Sequence, residues 1–166
     1  MKVIVVISLF LSSVVFSQDL PEFEILNTKG KIVNKDSIIN GDKVTVLNFW
    51  ATWCRFCKEE MNEIMRIKSG SEFKNVKFVS VTIDQPDAVS AAKDWFKDKK
   101  YPWRLYIDSK QELFNKVLAA TENTSLQIPV CIVIDKNGKI VSFNDRFEAD
   151  TFKDELINNI KFAEGN

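Results

Sequence analysis

The chain has 166 residues, 45% of them hydrophobic and 28% charged, a balance that suits one compact globular domain. Its 23 basic and 23 acidic residues cancel, so nothing in the overall charge points to nucleic acid or to an acidic disordered tail. Histidine is absent, which removes Cys-His and Ser-His-Asp catalysis, and three cysteines alone make a poor zinc set because structural zinc takes four ligands. No metal and no cofactor is expected.

Lys2 and the apolar run Val3–Phe16 read as a secretory signal peptide, with Val15-Phe16-Ser17 placing compact residues before a cut at Gln18. The alternative is an uncleaved anchor, but the run is shorter than the about 20 residues of a membrane span. Residues 1–17 are therefore expected to be a signal peptide and 18–166 a single domain. That puts the mature protein in the periplasm or otherwise outside the cytoplasm, where a disulfide can persist or be reduced by a dedicated protein.

Phe23–Leu26 and Lys31–Val33 alternate around Asn27-Thr28-Lys29-Gly30 as a hairpin. Gly41-Asp42-Lys43 turns into a buried strand over Val44–Phe49. From about Arg55 the pattern suits a helix, with Cys54 at its mouth and Met61, Ile64, Met65 and Ile67 at core spacing up to Ser69-Gly70. Val76–Ile83 is a second buried strand, Ala88–Lys97 a helix with Trp95 and Phe96 facing inward, and Trp103–Ile107 a short strand after Pro102. Asp98-Lys99-Lys100 reads as a solvated helix end. Gln111–Ala120 is a further helix, Val130–Ile134 and Lys139–Phe143 flank the turn Asp135–Gly138, and Phe152–Phe162 is a terminal amphipathic helix. Strands alternating with helices predict an α/β fold with a mixed sheet, and sites in such sheets lie at the carboxyl ends of strands.

The chemistry concentrates at Cys54 and Cys57, close enough to form a disulfide at a helix start. Free N–H groups and the positive end of the helix dipole favour a thiolate at Cys54, and the thiolate is the nucleophile of disulfide exchange. Cys57 lies near enough to resolve a mixed disulfide. Cys131, in an apolar run, reads either as a small buried hydrophobe or as a third redox cysteine.

Phe49-Trp50-Ala51-Thr52-Trp53-Cys54, then Cys57 and Glu60, followed by Ile128-Pro129 and Asp135-Lys136-Asn137-Gly138-Lys139, resemble the active-site strand and helix of the thioredoxin superfamily. Pro129 lies 72 residues beyond Cys57, which leaves room for an inserted strand and helix. With the signal segment and Asn48, the chain resembles the TlpA/ResA-like branch of extracytoplasmic thiol–disulfide oxidoreductases. The resemblance implies a thioredoxin-like fold: a central mixed sheet flanked by helices, an N-terminal hairpin and an inserted strand–helix segment. It implies Cys54 as the attacking and Cys57 as the resolving cysteine, and a cis Pro129 that, with Ile128 and Trp53, borders the substrate site. Glu60 is implied as a proton relay or tuner of thiol pKa, against the plainer reading of a solvated helix glutamate. Trp50 and Trp53 are implied as an aromatic shield.

Several positions depart from the family pattern. Arg55 and Phe56 stand between the cysteines where a proline or glycine is usual. Arg55 and Lys58 are expected to stabilise a thiolate, whereas Phe56 by desolvation and Glu60 by like charge oppose it. Asn62 replaces a kinking proline, so the helix is expected to run straighter. Ile128 lacks a hydroxyl, favouring packing over hydrogen bonding.

The resemblance implies protein thiols and disulfides as substrates, a reducing role that includes cytochrome c maturation or envelope thiol homeostasis, and a membrane electron donor; no nucleic-acid partner is implied. A net oxidase or isomerase is the alternative. A thiol peroxidase lacks its Pro-x-x-x-Thr-x-x-Cys frame here, and a non-catalytic redox sensor or binding module is the reading from a different class.

Overall fold

The computed structural model describes residues 18–39 and 41–165; the expected signal segment lies outside the described residues. The elements are β1 (Gln18–Asp19), β2 (Glu24–Asn27), β3 (Ile32–Asn34), α1 (Lys35–Ile38), β4 (Thr45–Trp50) and α2 (Arg55–Lys68). They continue through β5 (Lys77–Thr82), α3 (Val89–Asp98), β6 (Arg104–Ile107), α4 (Glu112–Ala120), β7 (Val130–Ile134), β8 (Lys139–Asn144) and α5 (Phe152–Glu164). β1, which extends the sheet by pairing with β8, and the short α1 carry no clear sequence periodicity.

One eight-stranded sheet runs in the order β1-β8-β7-β4-β5-β6-β2-β3. β4, β5 and β6 are parallel and central, and every other neighbour pairs antiparallel. All six residues of β4 are buried, as expected of a strand covered on both faces. The strand alternation then sorts the core into layers. Leu47 and Phe49 face α4 with Val79, Val81, Ile132, Phe114 and Val117. Val46 faces the other way, with Val133 of β7, Ile64 and Ile67 of α2 and Leu156 and Ile160 of α5. On that same side Trp50 packs with Cys57 and Met61 of α2 and with Ala92 and Phe96 of α3.

Two alternations therefore fix the site. Trp50 ends β4 on the α2 side, and Asn48 beside it faces the same layer. Asn48 is in register with Cys131 of β7 and Ser80 of β5, so three polar side chains sit under α2. α2 itself is continuous for 14 residues, and Asn62, at the position of the missing proline, accepts a hydrogen bond from the Tyr101 hydroxyl at 3.3 Å.

Candidate active site

β4 delivers the chain to its carboxyl end, where Ala51–Trp53 turn into α2. Thr52 holds this turn: its N–H and hydroxyl both donate to the buried carboxylate of Asp84, at 3.0–3.1 and 2.7 Å, and Thr82 donates to the same carboxylate at 2.6 Å. In the sequence the one signal that marks Asp84 is its position at a strand end beside a proline-containing loop. The clamp fixes where Cys54, two residues on, emerges.

Cys54 and Cys57 form a disulfide, with Cα atoms 5.3 Å apart. The Cys54 sulfur also caps α2, accepting from the Cys57 N–H at 3.1 Å, so the orphan donors of the helix start point at the reactive sulfur. Cys54 keeps 6% of its surface and Cys57 none, so an incoming group reaches Cys54 first. The Ile128–Pro129 bond is cis, and the Ile128 carbonyl oxygen lies 3.7 Å from the Cys54 sulfur. Pro129 is buried and Ile128 half-buried beneath that approach. Distant segments thus meet around one sulfur.

The surroundings revise several sequence expectations. Trp50 is fully buried and packs with both cysteines from the core side, while Trp53 is 71% exposed. Phe56 is 60% exposed and cannot desolvate the pair as expected. Arg55 does not sit over the sulfurs: its side chain is 86% exposed and is paired with Glu59 at 2.9 Å, because the i,i+4 geometry of a helix brings them together. Lys58 lies over the Trp95 ring at 5.4 Å. The expected cationic support for the Cys54 thiolate is therefore weak.

Glu60 is fully buried, which overturns the reading of a solvated glutamate. One turn after Cys57 it shares the inward face of α2. Neither carboxyl oxygen has a hydrogen-bond partner, and burial pushes its pKa well above the ordinary 4.5. Cys131 is a buried free thiol, raised first by burial and then by the nearby Glu60 carboxylate. Asn48 accepts from the Ser80 hydroxyl at 2.7 Å, and Ser80 accepts from the Trp103 indole N–H at 2.8 Å; the Asn48 amide N–H group has no partner. Glu60, Asn48 and Cys131 thus form a polar patch below the disulfide. Among the described residues no group of three or more Cys, Asp and Glu side chains is arranged to hold a metal ion.

The sequence profile of the AhpC/TSA family matches residues 16–143. The chain belongs to the AhpC/TSA family. Among relatives of this AhpC/TSA protein is the thiol-disulfide oxidoreductase ResA of Bacillus thuringiensis subsp. konkukian, 25% identical over 124 residues, which is 75% of this chain and 66% of the relative. The sporulation thiol-disulfide oxidoreductase A of Bacillus subtilis is 28% identical over 105 residues, covering 63% of this chain and 60% of that protein. The chain thus spans just under two thirds of the length of these curated relatives. A solved thioredoxin-like protein from Porphyromonas gingivalis superposes with a TM-score of 0.70 at 26% identity, covering 87% of this chain and 90% of that one. The fold is thioredoxin-like, with the mixed sheet flanked by helices.

Proposed function

We propose that this protein is a thiol–disulfide oxidoreductase acting on protein cysteines, and that it works as a reductant. The observation that carries the reading is a disulfide whose outer sulfur, Cys54, caps a helix and sits 3.7 Å from the backbone at cis Pro129. An extended client segment can dock beside that backbone, with Trp53 and Ile128 as its apolar borders.

In the reduced protein the Cys54 thiolate attacks one sulfur of a client disulfide. A bond forms between them, and the other client sulfur leaves as a thiolate that takes a proton from water. Cys57 then gives its proton to the Glu60 carboxylate and attacks the Cys54 sulfur. The Cys54–Cys57 bond forms, the second client thiolate leaves, and two electrons have passed to the client. Glu60 suits this role because burial raises its proton affinity, so its ionised form is a stronger base than an exposed carboxylate.

The reducing direction rests on electrostatics. A thiolate stabilised by cations makes a disulfide oxidising. Here Arg55 is engaged by Glu59 in solvent and Lys58 by Trp95, leaving the helix terminus as the main support. The apolar segment Val3–Phe16 supports a place outside the cytoplasm, where such a reductant takes electrons from a membrane donor and serves cytochrome c maturation or envelope thiols. No helix among the described residues is long and apolar enough to cross a membrane.

Insulin reduction tests this reading. The wild type should turn over with dithiothreitol, Cys54→Ala should be inactive, and Cys57→Ala should accumulate a mixed disulfide with the client. Equal activity in all three would mean that the cysteines only staple the fold. Turnover of hydrogen peroxide in place of insulin would point instead to a peroxidase.

A further inference from the structure

Where β4, β5 and β6 begin, at the opposite edge of the sheet from the disulfide, lies a cavity of about 480 Å³. Its lining includes Lys43, Lys68, Lys74, Lys77 and Arg104 and no acidic residue. A second cavity of about 810 Å³ shares Ser37, Trp103 and Arg104 with it and adds Lys29, Lys93 and Lys97, again without an acid. The chain as a whole is neutral, so eight of its 23 basic residues on one face represent segregation of charge.

Two of the ammonium groups are held in place. Lys77 donates to the carbonyl oxygens of Ser37, at 3.2 Å, and Ile38. Lys68 donates to those of Phe73 and Val76, at 3.3 and 3.2 Å, and stands over the Phe78 ring. An ammonium has three donors, so each retains one N–H for a ligand. None of the five cations pairs with a carboxylate among the described residues. Burial, and then the neighbouring charges of Lys43 and Arg104, hold Lys77 below its ordinary pKa; burial and Lys43 do the same to Lys68. The site lacks a counter-charge.

We propose that this cavity binds a multivalent phosphate-bearing anion. Five converging cations exceed what one carboxylate neutralises, whereas a phosphate group brings a charge of about −1.5 to −2 and three acceptor oxygens. Arg104 offers the planar fork that meets phosphate with two parallel bonds. Trp103 lines both cavities, its indole N–H given to Ser80 and its ring packed against Tyr101 at 4.7 Å, so it forms a rigid wall between them. The volume falls in the range of about 300–1,000 Å³ typical of small-ligand sites. β4 spans six residues at about 3.3 Å each, which puts the cavity roughly 20 Å from the disulfide and outside the exchange chemistry.

The phosphate can belong to a soluble compound or to a lipid headgroup, and two arms of one experiment separate them. The full chain is titrated with tripolyphosphate at low ionic strength by calorimetry, and co-sedimented with phosphatidylglycerol-containing and pure phosphatidylcholine vesicles. Binding should be saturable and weakened at least about tenfold by K74Q/R104Q, whose side chains are exposed, with insulin reduction unchanged. Lys153→Gln, at the start of α5 and outside both cavity linings, should leave it intact. Lys43→Gln repeats the test should the double variant fold poorly. Cavity-dependent tripolyphosphate binding assigns a soluble ligand; cavity-dependent retention on phosphatidylglycerol vesicles without it assigns a headgroup. If neither depends on these residues, or if the α5 variant weakens binding equally, the proposal fails.

Discussion

The two edges of the parallel strands treat charge in opposite ways. At their beginnings stand Lys43, Lys77 and Arg104, half-buried or exposed and without carboxylate partners. At their ends stand Asp84 after β5 and Asp108 after β6, both buried, with Glu60 of α2 and the disulfide beside the end of β4. Each of these three acids is enclosed, and two have fixed tasks. Asp84 clamps Thr52, and Asp108 accepts from the N–H groups of Glu112 and Phe114, at 2.8 and 2.9 Å, to start α4. Glu60 alone is left without a partner. Enclosed charge fixes positions and tunes protons, whereas unneutralised charge at the surface awaits a ligand.

The largest break in this comparison is chemical. Cys54→Ala should bring insulin reduction down to the uncatalysed rate while leaving tripolyphosphate titration unchanged, since it touches only one edge. Loss of both would mean that the edges are not independent.

The enclosed acids should also set how stability varies with pH. Burial holds Asp108 at about 6, above its ordinary 3.8, against the opposing pull of its backbone hydrogen bonds. Its folded form therefore binds the proton more tightly than the unfolded chain. That contribution is fully present below pH 3.8 and is lost as pH rises through about 6, by no more than about 3 kcal/mol at about 1.4 kcal/mol per unit. Glu60, raised from 4.5, acts in the same direction. Urea midpoints should thus fall between pH 4 and pH 7 in the part of the profile these groups control, and Glu60→Gln should shrink the fall. A variant with an unchanged slope would remove Glu60 from the account.

Asp84→Ala leaves the Thr52 and Thr82 donors without their acceptor. It should cost about 1–3 kcal/mol in chemical denaturation and slow insulin reduction, because the turn that presents Cys54 loosens. Full activity in a destabilised variant would limit Asp84 to a structural role. Arg55→Ala should do least. An exposed pair contributes about 0.2–1 kcal/mol, so the potential of the couple should move by no more than about 20 mV, with 30 mV equal to about 1.4 kcal/mol. A larger shift would return Arg55 to the sulfurs.

The sequence made the cysteine edge readable because its information is local. Cys54, Cys57 and the apolar β4 lie within a few residues of each other, and strand and helix periodicities predicted the layers that enclose them. Ile128-Pro129 was legible through the family resemblance, which placed a distant proline by the cysteines. What stayed hidden depends on register and side-chain direction. The partnering of Asn48 with Ser80 and Cys131 follows from strand pairing, which no local pattern states. Arg55 and Phe56 were assigned effects on the thiols from proximity in sequence, but the helix turns both toward solvent. The basic edge was invisible because its lysines come from separated segments, each of which reads as an ordinary solvated charge.

The reduction potential of the Cys54–Cys57 couple, measured by equilibration against glutathione and dithiothreitol, decides whether the protein acts as a reductant. With Arg55 and Lys58 directed away from the sulfurs, the couple should be reversible and lie near the thioredoxin value of about −270 mV. A value near the DsbA value of about −120 mV, or no reversible disulfide at all, would contradict the reducing role.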